Sequence, residues 1–318
     1  MPIGRRTFVK GLAALTLIGC AKPPTAPEET PTPTPTPAPD GFTIFAVGDI
    51  GDCARRGVDT TARIANWLLM NSGYGVIRFH TLGDNAYPDG SESAYKNCFA
   101  PAWGQFRDIL YPCVGNHDWE LANPYYFTYF GPRAIWNGKD GYYSYTEGPW
   151  LVLVLNSELI GDRAKREEQM TFVRRELAAH PEKRVVGIWH RPRLAHGRNG
   201  DTRGVQEFVD VLSGRVALTL HGHEHYYERF YSLNASAVRD DANGFRQFIV
   251  GTGGGELYEF RNVRCAISAF RRAGDYGMLR LRLRTNGTYS WEYFTWPDGR
   301  AEPLIVDSDA TPASPMCP

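Results

Sequence analysis

Carboxylate, amide, phenol and imidazole side chains fall in five tight groups along this chain, each directly after a run of apolar residues. Gly48-Asp49-Ile50-Gly51-Asp52 comes first, then Gly83-Asp84-Asn85-Ala86-Tyr87 and Gly115-Asn116-His117-Asp118. His190 ends a fourth apolar run, and His221-Gly222-His223-Glu224-His225 ends a fifth. None of the groups contains a thiolate, so the donors are mixed oxygen and nitrogen. Such a set suits iron, zinc or manganese rather than a thiolate zinc site. It also exceeds what one tetrahedral ion needs. Two ions sharing one carboxylate would use all of it, with an attacking water at the pair. A single Gly-Asp after a strand is usually a turn, but five groups in sequence order read as one site.

The groups can meet only if regular elements bring them to one edge. Phe42–Val47 and Val76–Leu82 read as short buried strands, with helical spacing of apolar residues over Asp59–Met70 between them. A helical segment over Ala94–Phe106 leads to a third strand, Leu110–Val114. Strand–helix–strand alternation implies parallel pairing, and the carboxyl ends of parallel strands open on one crevice. Further strands are expected at 142–145, 150–156, 185–189, 216–220, 245–250, 278–283 and 288–294, with an amphipathic helix over Arg163–His180. The glycine before each acid is expected to let the backbone turn sharply. Gly251-Thr252-Gly253-Gly254-Gly255 lacks the Lys and Ser/Thr of a phosphate-cradling loop and reads as a turn beneath the site. Tyr125, Tyr126, Tyr226 and Tyr227 read as core and cleft wall.

Of 318 residues, 42% are hydrophobic, enough for a substantial core in one α/β domain. The 35 basic and 35 acidic side chains cancel, which argues against a nucleic-acid partner bound by phosphate neutralisation. No apolar run reaches the roughly 18–20 residues that span a bilayer. Residues 1–19 read as a targeting segment. Arg5-Arg6-Thr7-Phe8-Val9-Lys10 resembles a twin-arginine export signal, and Leu17-Ile18-Gly19-Cys20 resembles a bacterial lipobox whose cysteine is acylated. Residues 20–40 form a Pro/Thr-rich linker that favours extended polyproline II. The expected product is exported and lipid-anchored in the cell envelope or at the cell surface, with the anchor its only membrane contact. The domain is expected over 41–305, followed by a tail at 306–318.

The five groups resemble those of the calcineurin-like metallophosphoesterases, and within them the purple acid phosphatase branch, over about residues 43–296. The wider superfamily has Asp-x-His in its first motif, where this chain has Gly51. The branch with Asp-x-Gly takes its replacement ligand from a tyrosine three residues after the second-motif Asp, the spacing of Asp84 and Tyr87. The resemblance implies an α/β fold of the four-layer αββα sandwich type. It implies one metal on Asp49, Asp84, Tyr87 and His225, and a second on Asp84, Asn116, His190 and His223. The ions would be iron with iron, zinc or manganese. His117 matches a histidine that contacts phosphate and assists the leaving group, and His196 is the candidate for a second active-site histidine. Arg191 is read either as a phosphate partner or as a salt bridge on the cleft rim. The activity implied is hydrolysis of phosphate monoesters on small molecules by metal-activated hydroxide. A phosphodiesterase or nucleotide hydrolase with the same centre, and a non-enzymatic surface lipoprotein, remain the alternatives. Five cysteines lie beyond Cys20, and an odd count leaves one unpaired. Cys113 is expected to be a buried thiol, with Cys53–Cys98 and Cys265–Cys317 as the pairs.

Overall fold

The computed structural model describes residues 40–72 and 75–313. The export motif, Cys20, the linker up to residue 39 and Cys317 lie outside the described residues. The described strands are β1 (Phe42–Val47), β2 (Val76–Thr81), β3 (Leu110–Tyr111), β4 (Tyr143–Glu147), β5 (Trp150–Val154), β6 (Arg184–Ile188), β7 (Val216–His221), β8 (Tyr227–Leu233), β9 (Phe245–Val250), β10 (Ser268–Arg272), β11 (Gly277–Leu283), β12 (Tyr289–Thr295) and β13 (Leu304–Ser308).

They form two sheets, ordered β13-β12-β11-β1-β2-β3 and β10-β8-β9-β7-β6-β5-β4. β1, β2 and β3 run parallel in the first, and β5, β6, β7 and β9 in the second. Strand β5 shows how side-chain alternation builds the layers. Trp150, Val152 and Val154 join β1 and β11 in the core between the sheets. Leu151 and Leu153 point the other way, onto Met170, Phe172 and Val173 of the helix Arg163–Ala179 and Phe208 of the helix Gln206–Leu212. Against the first sheet lies the helix Gly57–Asn71, which buries Ile64, Ala65 and Leu68 on one face. Helix, sheet, sheet, helix is the αββα arrangement expected. No helix among the described residues is long and apolar enough to cross a membrane.

Several elements differ from the sequence reading for local reasons. β3 stops at Tyr111 because Pro112 has no N–H to continue the ladder. The segment 92–109 is a chain of short α, π and 3₁₀ turns, with Pro101 in the first turn of a new α segment. β8 has no apolar signature because it carries Glu228 and Arg229, both buried. The first sheet continues past residue 305, where the domain was expected to end, since β13 runs to Ser308. Its exposed Leu304 and Ile305 carry no core pattern. It is held instead by buried Asp307, which accepts from Arg229 (2.8 and 2.9 Å), Tyr227 (2.7 Å) and Trp291 (3.2 Å). Removing one partner of such a buried pair costs about 3–5 kcal/mol.

Cys53 and Cys98 are bonded and Cys113 is a buried free thiol, as expected. Cys265 is also disulfide-bonded.

His80, buried in β2, gives its Nε2 to the Tyr145 hydroxyl at 2.7 Å. Burial, then the charge of Arg78, pushes its pKa from 6.5 down to about 3. The folded ring stays neutral while the unfolded chain gains a proton below pH 6.5. This contribution to stability is therefore complete above pH 6.5 and lost as pH falls towards 3, at up to about 1.4 kcal/mol per pH unit. Urea midpoints measured from pH 7 to 4.5 should fall more steeply for the wild type than for His80→Gln.

Candidate metal centre

Parallel pairing of β1 with β2 sets the loops of Asp49 and Asp84 side by side, and β3 leads to Asn116 next to them. The second sheet contributes His190 after β6, and His223 and His225 after β7. Backbone bonds stitch the two sheets together at this edge. Gly48 N–H donates to Val250 O at 2.9 Å across the sheets, while Asp49 N–H to Gly83 O at 2.9 Å and Gly222 N–H to His190 O at 3.2 Å tie neighbouring loops within each sheet. His190 Nδ1 lies 2.8 Å from Leu82 O, so a carbonyl of one sheet orients a ligand of the other. The open-sheet crevice of the sequence reading is thus a seam between two sheets.

Before Asp84 the glycine does turn sharply, with Gly83 at φ 89°, and the donor residues themselves share the unusual backbone. Asp49 (φ 62°), Asp84 (φ 50°) and His223 (φ 70°) all adopt left-handed backbone. Each costs about 1 kcal/mol or more, and such strain clusters at functional sites. Glycine is needed here mainly for space. A Cβ on Gly222 would stand 2.5 Å from Asp49 Oδ2.

The seven expected donors converge. Tyr87 Oη lies 3.1 Å from Asp49 Oδ1, 3.2 Å from Asp84 Oδ2 and 3.0 Å from His225 Nε2. His225 Nε2 is 3.2 Å from Asp49 Oδ1. On the other side, His190 Nε2 is 3.3 Å from Asp84 Oδ2 and 3.2 Å from Asn116 Oδ1. Asp84, His190 and His223 each offer an atom within 4.8 Å of the others. Asp84 belongs to both groups. Such contacts among carboxylates, phenol and imidazoles fit cations better than they fit one another.

The electrostatics agree. Burial alone would raise the pKa of Asp84, but His190, then His117 and His223, hold it below the usual carboxylate range. Burial alone would lower His190, yet Asp84 raises it to about 10. His223 is lowered by burial and by His190. The phenol of Tyr87 is raised by burial, Asp49 and Asp84, so the protein by itself keeps it protonated. A strong Lewis acid would reverse that sign. Ion binding at this site must therefore release protons.

The supporting contacts are local to the motifs. Asp118 accepts from Asn85, Gly115 and Tyr95, and its pKa is raised to about 6 by burial and by Asp84. Gly253 and Gly255 donate to Gly48 O and Asp49 O at 2.9 Å, confirming the glycine turn as backing for the first ligand loop. His117 N–H donates to Asp84 Oδ1 at 2.9 Å, and its ring Nδ1 donates to Pro88 O.

His196 is placed differently from the expectation. It is buried, with Nδ1 2.6 Å from Glu228 and Nε2 accepting from Arg264 at 2.9 Å. Both ring nitrogens are taken by protein partners, so the ring has none to offer a substrate. His221 is likewise occupied, between Trp189 O and Thr219 Oγ1. Tyr126, Tyr226 and Tyr227 are core residues. Tyr258 went unnoticed in the sequence. It stacks on His225 at 4.2 Å and 7°, from a segment without motif or periodicity.

A sequence model of the Calcineurin-like phosphoesterase family matches residues 42–227, and the chain belongs to that family. It is 25% identical over 231 residues to a protein of Arabidopsis thaliana named probable purple acid phosphatase 20, covering 62% of this chain and 53% of that one. The chain thus spans about half the length of that relative. Its fold is similar to that of the purple acid phosphatase PPD1 from yellow lupin seeds, with TM-score 0.62 and 19% identity over 84% of this chain and 53% of that one. It is also similar to GAP50, the anchor in the inner membrane complex of Plasmodium, with TM-score 0.67 and 14% identity over 86% and 89% of the two chains. In the family's wider pattern the first motif ends in histidine. Here a Cβ on Gly51 would lie 2.6 Å from Asn85 O, and Tyr87 N–H donates to Gly51 O at 2.9 Å. The backbone that excludes a side chain at 51 therefore also brings Tyr87 against Asp49, Asp84 and His225.

Because Asp84 lies in both donor groups, Asp84→Ala should lower metal content from two equivalents to one or none. The peripheral change Asn116→Ala should affect one site only. Elemental analysis of loaded, gel-filtered protein checks both.

Proposed function

We propose that this chain is a two-metal phosphoesterase acting on phosphate monoesters, in the manner of an acid phosphatase. The observation that carries the reading is Tyr87 Oη lying within 3.2 Å of Asp49, Asp84 and His225 at once. Two cations held by the seven residues would neutralise phosphoryl oxygens and make water a stronger acid. The remaining work belongs to the chain. Asp84 orients His117 through its backbone N–H, and the Pro88 carbonyl fixes the proton on Nδ1. His117 Nε2, 3.9 Å from Asp84 Oδ2 on a ring one-third exposed, is left facing the cleft. With both nitrogens protonated, that atom can give a proton to a departing alkoxide.

Metal-loaded protein should hydrolyse a monoester of a chromogenic alcohol in preference to the diester of the same alcohol. A preference for the diester would favour the phosphodiesterase alternative, and no turnover of either would favour a binding protein. His117→Gln should cost about 10²- to 10⁴-fold in kcat for alkyl phosphates and far less for nitrophenyl phosphate, whose leaving group needs no proton. We take iron to occupy the Tyr87 site, because only a strongly acidic ion makes a phenolate of a phenol whose own surroundings raise its pKa. Iron-loaded protein should then show a visible absorption band that Tyr87→Phe abolishes while the fold survives. An unchanged band would remove Tyr87 from the ligand set.

The proposed location is the cell envelope, behind a twin-arginine signal and an acylated Cys20. The Cys53–Cys98 bond supports an oxidising compartment.

A further inference from the structure

Arg191 reaches the donor cluster without being one of its ligands. Its Nε donates to both oxygens of Glu158 at 2.9 Å, and its backbone N–H to Ser157 Oγ at 3.1 Å. Glu158 is itself fixed, through its N–H to Asn156 Oδ1 at 2.8 Å and its Oε1 to Ser157 Oγ at 3.0 Å, and its side chain is only 8% exposed. The carboxylate occupies Nε and leaves the terminal nitrogens. Nη1 lies 3.1 Å from His223 Nε2, and Nη2 has no protein partner among the described residues. The side chain is partly exposed, at 27%.

A fixed positive charge beside a cation site is repelled once ions are bound. Glu158 holds it there, and an anion arriving between the guanidinium and the ions would offset the repulsion. The chemistry of the anion follows from counting oxygens. A phosphate diester has two non-bridging oxygens and one negative charge, which two cations can satisfy. A monoester dianion has a third such oxygen, and a guanidinium edge with free N–H groups matches it.

We propose that Arg191 is the residue that selects phosphate monoester dianions, by taking the phosphoryl oxygen that the metal ions leave free. The assignment rests on the phosphoesterase reading above and specifies its substrate class. Glu158 acts through Arg191 as a positioning residue.

The test uses metal-loaded wild type, Arg191→Gln and Arg191→Lys. Its three readouts are metal content, inorganic phosphate binding by calorimetry, and kcat/KM for the mono- and diester of nitrophenol. Arg191→Gln should keep both ions, lose about 10- to 100-fold in phosphate affinity and in monoester kcat/KM, and change diester kcat/KM by less than about threefold. Arg191→Lys should recover part of the loss. An equal fall for both esters with phosphate affinity unchanged would overturn the proposal, as it would make Arg191 a support for His223. Should Arg191→Gln fold poorly or lose an ion, the lysine variant decides. A monoester-to-diester ratio in Arg191→Lys equal to wild type overturns the assignment, and a reduced ratio with both ions present supports it. Wild-type protein that holds two ions yet binds no phosphate and cleaves neither ester would overturn the functional reading itself, and the assignment with it.

Discussion

Asp84 carries a carboxylate out of water on a left-handed backbone, and the cost of doing so organises this end of the molecule. An ionised carboxylate deep in protein is tolerated only with charge or hydrogen bonds around it. One sheet supplies the His117 N–H and the Tyr87 hydroxyl, the other supplies His190. Those partners come from different sheets, so the electrostatic need and the sheet packing are one constraint. The seam of backbone bonds from Gly48 to Val250, and from Gly253 and Gly255 to Gly48 and Asp49, keeps both sheets in the register the site requires. Asp49, Asp84 and His223, with left-handed backbone, are held by this seam and not by local preference.

The family resemblance rests on short spacings, which explains what was legible in the sequence. Asp84 and Tyr87 sit three residues apart, and His223 and His225 two apart, each pair after a strand of apolar residues. Local order along the chain therefore revealed both the donors and the strands that aim them. The glycine turn at 251–255 was legible for the same reason. Contacts whose partners are distant in sequence were not. Glu158 and Arg191 meet across 33 positions, and Tyr258 reaches His225 from a loop with no pattern. His196 looked available because its occupants, Glu228 and Arg264, lie 32 and 68 residues away. β8 and β13 were missed because buried charged pairs hold them in place of apolar alternation.

The same buried polar groups divide between stability and chemistry. Arg229 with Asp307, and His196 between Glu228 and Arg264, are paired within the protein and serve as structure. Around Asp84, Asp49 and the histidines the pairing is different. Asp84, His190 and His223 shift one another's proton affinities, and burial with the neighbouring carboxylates raises the Tyr87 phenol. Arg191 lies at the border between the two kinds, tied by Nε to a buried carboxylate and by Nη1 to His223, with no partner on Nη2 among the described residues.

The central claim is that one carboxylate is shared by two ions with a tyrosine on one of them. Diffraction from metal-loaded crystals, collected at the absorption edge of the bound metal, tests it directly. The account predicts two anomalous peaks about 3.5–4 Å apart. Asp84 should lie against both, Tyr87 with Asp49 and His225 on one, and Asn116 with His190 and His223 on the other. A single peak at full loading, or two peaks that Asp84 does not bridge, would contradict it.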